Sequence, residues 1–185
     1  QKLGAPISTK FEDISDIDLK FSKELRPKQL PIVDAYLNSV NPIEGGGGII
    51  SVPCGYGKTV LALYLATKLK VKTLVVVHKE FLMNQWKERI EEFLPDARVG
   101  RIQGQVTKVE NKDIVLGMLQ SLSMVEYKDE VFKDFGLVIY DECHHLGAEV
   151  FCRALSKTSF KYLLGLSATP KRADGLTKVF EWYLG

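Results

Sequence analysis

The residues best suited to chemistry fall in a few short runs. The first is Ser51-Val52-Pro53-Cys54-Gly55-Tyr56-Gly57-Lys58-Thr59, a glycine-bearing loop that ends in a Lys-Thr pair. Gly55 and Gly57 can adopt backbone angles barred to other residues, so successive N–H groups can turn inward on a phosphate. Lys58 adds a point charge, and Thr59 offers the hydroxyl expected on Mg²⁺. An apolar run precedes the loop and a helical pattern follows it, which is the order a phosphate-binding loop requires; the helix N-terminus adds a favourable dipole. The stricter spacing of such loops puts a glycine six residues before the lysine, where Val52 stands here. Taken without its context, the run is a Gly-rich loop with an incidental Lys-Thr.

The second run, Gly136-Leu137-Val138-Ile139-Tyr140-Asp141-Glu142-Cys143-His144-His145, is an apolar strand that ends in two adjacent carboxylates. Asp141 suits the holding of Mg²⁺ through water. Glu142 suits orienting and deprotonating a water for in-line attack on a γ-phosphate. Alone, such a pair is as readily a capping or solvated pair. A third run, Gly165-Leu166-Ser167-Ala168-Thr169-Pro170, places the hydroxyls of Ser167 and Thr169 after another apolar strand, where they can hydrogen-bond the acidic run and report nucleotide state. Cys143, His144 and His145 with Cys152 do not make a zinc set, because adjacent residues rarely share one ion and no paired Cys-x-x-Cys spacing is present.

Positioning these residues falls to short β-rich runs at Ile49–Val52, Thr73–Val77, Ile114–Met118, Leu137–Tyr140 and Tyr162–Leu166, which alternate with stretches of helical period. That alternation predicts an α/β fold with a mostly parallel sheet, and the lack of alternating polar residues within the runs predicts helices on both faces. Carboxylates at the C-terminal end of a parallel strand then lie beside the crevice of the phosphate loop. Val60 to Leu65 after Lys58, and Phe81, Leu82, Trp86, Ile90 and Phe93, mark two amphipathic helices, with Trp86 reading as core. Pro27 opens a further helix over Lys28–Leu37. Asn41-Pro42 and Gly45 to Gly48 read as a flexible loop, and Lys68, Lys70 and Lys72 as a solvated helix end.

Composition narrows the class. A chain of 185 residues with 45% hydrophobic and 26% charged residues supports one core and excludes a disordered tail, a collagen-like fibre or a disulfide-stapled mini-protein. No apolar run approaches the ~18 residues of a spanning helix. Three irregularly spaced cysteines suit reduced thiols in a cytosolic or nuclear compartment. A net charge of +2 permits a nucleic-acid partner without demanding one. The start at Gln1, without Met or an apolar signal region, reads as a cut from a longer chain; residues 1–24 read as an acidic appendage and 25–185 as the domain proper.

Together these runs resemble the superfamily 2 helicases and translocases, whose motor domains are RecA-like. Pro53 to Thr59 is similar to their motif I, Asp141-Glu142-Cys143-His144 to a DECH-type motif II, and Ser167-Ala168-Thr169-Pro170 to motif III, in the family's order. Val52 is ordinary in that company. Leu25-Arg26-Pro27-Lys28-Gln29 resembles the adenine-reading Q-type motif, which implies that Gln29 hydrogen-bonds adenine and Arg26 stacks on it. Val77 to Trp86 is similar to motif Ia, Gly117 to Leu122 to motif Ic, and Gly100 to Gly104 to a further strand-contacting loop. The resemblance thus implies that His78, Lys79, Arg101, Gln120 and Ser121, read as following strands, line a single-strand track. Arg-Pro-x-Gln, the DECH run and Ser167 to Gly175 look closest to the xeroderma pigmentosum group B-type and type III restriction motors, a branch that mostly acts on DNA.

That resemblance implies ATP and Mg²⁺, a DNA partner contacted without regard to sequence, no membrane, and action in the cytoplasm or nucleus or, for a viral protein, in the host cell. It also implies a second RecA-like domain of the same parent chain that brings arginine fingers. Lack of such a finger lowers the rate about 10³- to 10⁵-fold, so this fragment alone is expected to bind nucleotide and hydrolyse it poorly. A nucleic-acid-stimulated remodelling ATPase that never unwinds would use the same residues. A P-loop kinase would need an acceptor pocket and show no strand stimulation.

Overall fold

In the computed structural model, the residues described are 13–53, 55–143, 147–158 and 160–168. A 3-10 turn at Pro27–Gln29 leads into α1 (Leu30–Ser39) and β1 (Gly46–Ser51). Then come α2 (Lys58–Leu69), β2 (Thr73–Val77), α3 (Glu80–Phe93), β3 (Val99–Gln103), β4 (Val106–Lys108), β5 (Ile114–Met118) and α4 (Leu119–Met124). A second 3-10 turn (Asp129–Val131), β6 (Leu137–Tyr140), α5 (Ala148–Lys157) and β7 (Tyr162–Ser167) follow. Among the described residues the strands form one sheet in the order β1-β7-β6-β2-β5-β3-β4, parallel throughout except for the β3–β4 hairpin.

Four of the five apolar runs are the inner strands β2, β5, β6 and β7, buried along their whole length, and the fifth is the edge strand β1, which is only partly buried. Val75 and Val77 of β2 pack with Ile139, Leu164, Leu166, Leu61, Leu65 and Trp86 on the side of α1, α2 and α3. Leu74 and Val76 point the other way, with Val138, Tyr140, Leu163, Leu122 and Leu155 on the side of α4 and α5. Alternate residues of one strand thus feed two separate cores, as period-two geometry demands. The fold is the expected α/β domain with a mostly parallel sheet covered on both faces.

Four local expectations change. The glycine run is no linker: Gly46 to Gly48 form half of β1 and pair with Tyr162, Leu163 and Leu164. A Cβ on Gly47 would collide with the Leu163 carbonyl oxygen, so the close backbone approach is what calls for glycine there. Lys72 is not solvated; it is 3% exposed, donates to the Val109 carbonyl at 2.6 Å and to Asp134 Oδ2 at 3.1 Å, and sits 5.0 Å above the Phe135 ring. α2 buries Leu61, Ala62, Leu63, Leu65, Ala66 and Thr67, too wide an arc for an amphipathic surface helix. On α3, Leu82, Trp86 and Ile90 are buried, but Phe81 is 56% exposed.

The described part of the N-terminal segment lies along the sheet's N-terminal edge and the helices. Ser15 N–H bonds the Asp134 carbonyl at 3.0 Å and Ile17 N–H bonds that of Lys70 at 3.1 Å. Phe21 packs edge-on to Tyr64 and stacks with Phe93 at 5.4 Å.

Candidate active site

Strand order decides what meets what. β7 lies between β1 and β6, all three are parallel, and their C-terminal ends share one edge of the sheet. The phosphate loop leaves β1, Ser167 ends β7, and Asp141-Glu142 leave β6, so the three motifs converge there. Ser51 pairs with Ser167, and the Val52 N–H bonds the Ser167 carbonyl at 3.1 Å.

Gly55 (φ 95°) and Gly57 (φ 78°) both take the left-handed region, which accounts for the glycines at these positions. Gly57 caps α2, whose first two residues are Lys58 and Thr59. Three residues of the preceding turn brace the loop. Arg26 Nη2 donates to the Gly55 carbonyl at 3.0 Å, Gln29 Nε2 donates to the Tyr56 carbonyl at 2.7 Å, and Lys28 Nζ sits 4.3 Å from the Tyr56 ring centre. The Arg26 N–H donates to Gln29 Oε1 at 2.8 Å, which fixes the amide's orientation. A side-chain amide has two donors and two acceptor sites, so these bonds use one of each, and Gln29 is held buried at 2% exposure against the loop.

Across the edge, Lys58 Nζ lies 3.1 Å from Glu142 Oε2, with both side chains partly shielded. Glu142 itself adopts φ 54°, a strained backbone of the kind that clusters at functional sites. Asp141 is 6% exposed; its N–H bonds the Val76 carbonyl at 3.0 Å, and its Oδ2 accepts the indole N–H of Trp86 at 2.7 Å. Burial pushes the Asp141 carboxyl up; the Trp86 hydrogen bond opposes this and the neighbouring Glu142 charge adds to it. A buried carboxylate crowded by a second one gains from a nearby cation, and with the Thr59 hydroxyl it offers the hard oxygen donors that Mg²⁺ prefers.

A cleft of about 490 Å³ runs from Arg26, the glycines and Thr59 to Arg89, Glu92 and Phe93 near the end of α3. These last three were not legible as site residues, because Phe93 fits the core stripe and the others look like solvated helix charges. Their spacing of three and four residues, on a stripe beside Trp86 and Ile90, is the signal that could have found them.

The expected strand-track residues are spread more widely. Val77 pairs with Met118, so His78 and the exposed Lys79 beyond β2 and the exposed Gln120 in the first turn of α4 follow neighbouring strand ends at the same edge of the sheet. Arg101 does not follow a strand: it lies within β3, exposed, and pairs with Leu116 and Lys108. Ser121 Oγ accepts the Gly104 N–H at 2.8 Å and so fastens the β3–β4 turn. Cys54, His144 and Thr169 lie outside the described residues. Among the described residues no helix is long and apolar enough to cross a membrane.

Comparison with known proteins bears on the family and the fold. The family model of the type III restriction enzyme res subunit matches residues 22–172. A protein of Acanthamoeba polyphaga mimivirus named as a candidate ATP-dependent RNA helicase is 43% identical over all of this chain and 35% of its own length. The DNA 3'-5' translocase XPB2 of Sulfurisphaera tokodaii is 35% identical over 90% of this chain and 36% of its own. The chain therefore spans about a third of the length of these relatives. In structure, the Sulfolobus solfataricus SWI2/SNF2 ATPase core bound to dsDNA superposes with a TM-score of 0.68 at 23% identity, over 86% of this chain and 35% of that one. The UvsW helicase of bacteriophage T4 gives 0.67 at 19% identity, over 90% and 61%. With a family match over most of its length and the helicase-type sheet, this chain belongs to the type III restriction enzyme res subunit family and is a RecA-like motor domain of the superfamily 2 helicases.

Proposed function

We propose that this domain binds ATP with Mg²⁺ and serves as the first motor domain of an ATP-dependent DNA helicase or translocase inside cells. The observation that carries the reading is the Lys58–Glu142 pair, which puts the phosphate loop and the acidic strand end 3.1 Å apart across one sheet edge. The loop N–H groups and the α2 N-terminus cradle the phosphates, and Lys58 exchanges its Glu142 partner for phosphate oxygens. Thr59 and Asp141 hold Mg²⁺, which when bound offsets phosphate charge. Glu142, released from Lys58, orients the attacking water and takes its proton. Gln29 and Arg26 read the base, and Ser167, with Thr169 and His144 beyond the described residues, relays the nucleotide state.

His78, Lys79, Gln120 and Ser121, with Arg101 on β3, form the strand track, where phosphate contacts give sequence-independent, salt-sensitive binding. DNA is favoured by the branch to which Arg26-Pro27-x-Gln29 and Ser167 onward are closest, and the archaeal relative is named a DNA translocase. A second RecA-like domain of the full-length protein completes the site with arginine fingers. In that protein, single-stranded DNA should stimulate ATP turnover, and Glu142→Gln should bind ATP normally without turning it over. ATP hydrolysis insensitive both to DNA and to Glu142→Gln sinks the reading.

A further inference from the structure

Trp86 is 1% exposed at the middle of α3, and its indole N–H donates to Asp141 Oδ2 at 2.7 Å. A buried indole N–H requires an acceptor. Here that acceptor is the carboxylate at the end of β6, 55 positions away in sequence. The bond is charge-assisted when Asp141 is ionised, and it favours the charged form that burial and Glu142 disfavour.

The helix that carries this indole reaches two other parts of the site. Its first turn holds the exposed Phe81, two residues after the exposed Lys79 that caps the helix. Its last turns bring Arg89 and Phe93 to the nucleotide cleft. From Phe81 to Trp86 is about 7.5 Å along the axis at 1.5 Å per residue. A small shift of the strand-facing turn is therefore carried to the donor of Asp141 by one rigid helix, with Leu82, Met83 and Ile90 packed in the same core.

We propose that Trp86 is a positioning residue: its N–H orients the Asp141 carboxylate for Mg²⁺ and, because it rides on α3, links strand binding at Lys79 and Phe81 to the Mg²⁺-dependent part of nucleotide affinity. This rests on Asp141 being the carboxylate that holds the metal, as proposed above.

Trp86→Phe keeps an apolar ring and deletes the donor. The probe is Mg²⁺ titrated calorimetrically into the full-length protein saturated with a non-hydrolysable ATP analogue, with and without oligodeoxythymidine. Loss of an outer partner of a metal ligand weakens metal binding about 10- to 100-fold, and that drop is expected, with analogue affinity in EDTA unchanged. The oligonucleotide should tighten Mg²⁺ binding in the wild type and leave it unaltered in Trp86→Phe, as reciprocal linkage requires. Unchanged Mg²⁺ affinity, or an oligonucleotide effect that survives the substitution, overturns the inference while Asp141→Asn still abolishes the Mg²⁺ dependence. Mg²⁺ dependence that survives Asp141→Asn overturns the underlying site reading instead. If circular dichroism shows Trp86→Phe unfolded, the Trp86 indole N–H resonance of the wild type decides, assigned by its connectivity to the backbone resonances of Gln85 and Lys87. It should move when Mg²⁺ joins the analogue complex and again with oligonucleotide; a resonance that stays still contradicts the proposal.

Discussion

Lys58 at the start of α2 and Glu142 just past β6, 84 positions apart in sequence, form an ion pair of 3.1 Å. β7 lies between the strands that lead to them and sets the gap. Because both side chains keep some contact with solvent, the pair should add little to stability. Glu142→Gln is expected to shift unfolding free energy by no more than about 1 kcal/mol. The same change should lower ATP turnover about 10²- to 10⁴-fold, the range for a lost general base. Urea unfolding and steady-state hydrolysis of the same preparations check the two effects separately.

Asp141 should be a site where function opposes stability. Burial raises its folded carboxyl above the unfolded value, so folding disfavours the charged form. The penalty is absent below the unfolded value, grows as pH rises between the two, and is complete above the folded one. Asp141→Asn is therefore expected to gain about 0.5–2 kcal/mol near pH 7. The gain should fade as pH falls below the carboxylate range. Thermal scans of both proteins across that range are the measurement.

Lys72 is nearly sealed from solvent, and Asp134 is its counter-charge while also accepting from Ser15 Oγ at 2.9 Å. Removing Asp134 strands a buried ammonium. Asp134→Ala should cost about 3 kcal/mol in urea unfolding. Lys72→Met should cost less, because Asp134 is a quarter exposed and keeps the serine.

Gly47→Ala is expected to destabilise by about 1–3 kcal/mol, since the added methyl meets the Leu163 backbone rather than a side chain that can turn away. Gly48→Ala, with open space around its Cβ position, should cost much less. Melting temperatures of the two variants compared directly make the test.

The central strands were legible because apolar runs such as Thr73–Val77 need burial on both faces, and the phosphate loop because Gly55 and Gly57 are required by its backbone. β3 escaped notice because Arg101 and Gln103 interrupt its apolar pattern at positions near the edge of the sheet. The Gly45–Gly48 run departs from expectation for the opposite reason: composition points to a loop, whereas Gly46 to Gly48 pair with β7 and the close approach of the Leu163 backbone calls for glycine at Gly47. Trp86 was legible as core, but its bond to Asp141 was not, because it depends on how α3 settles over β6. Local pattern reports what a segment must bury; it does not report which side chain a distant segment will meet.

The most direct measurement is binding of a fluorescent ATP analogue with Mg²⁺ to the wild type and to Lys58→Ala, both confirmed folded by circular dichroism. Saturable binding by the wild type, and a loss of about 10- to 100-fold or more in Lys58→Ala, is the expected result for a charge-assisted phosphate contact. Equal affinity in the two proteins, or no binding by the folded wild type, would contradict a nucleotide site built on the Lys58 loop and the Asp141-Glu142 strand end.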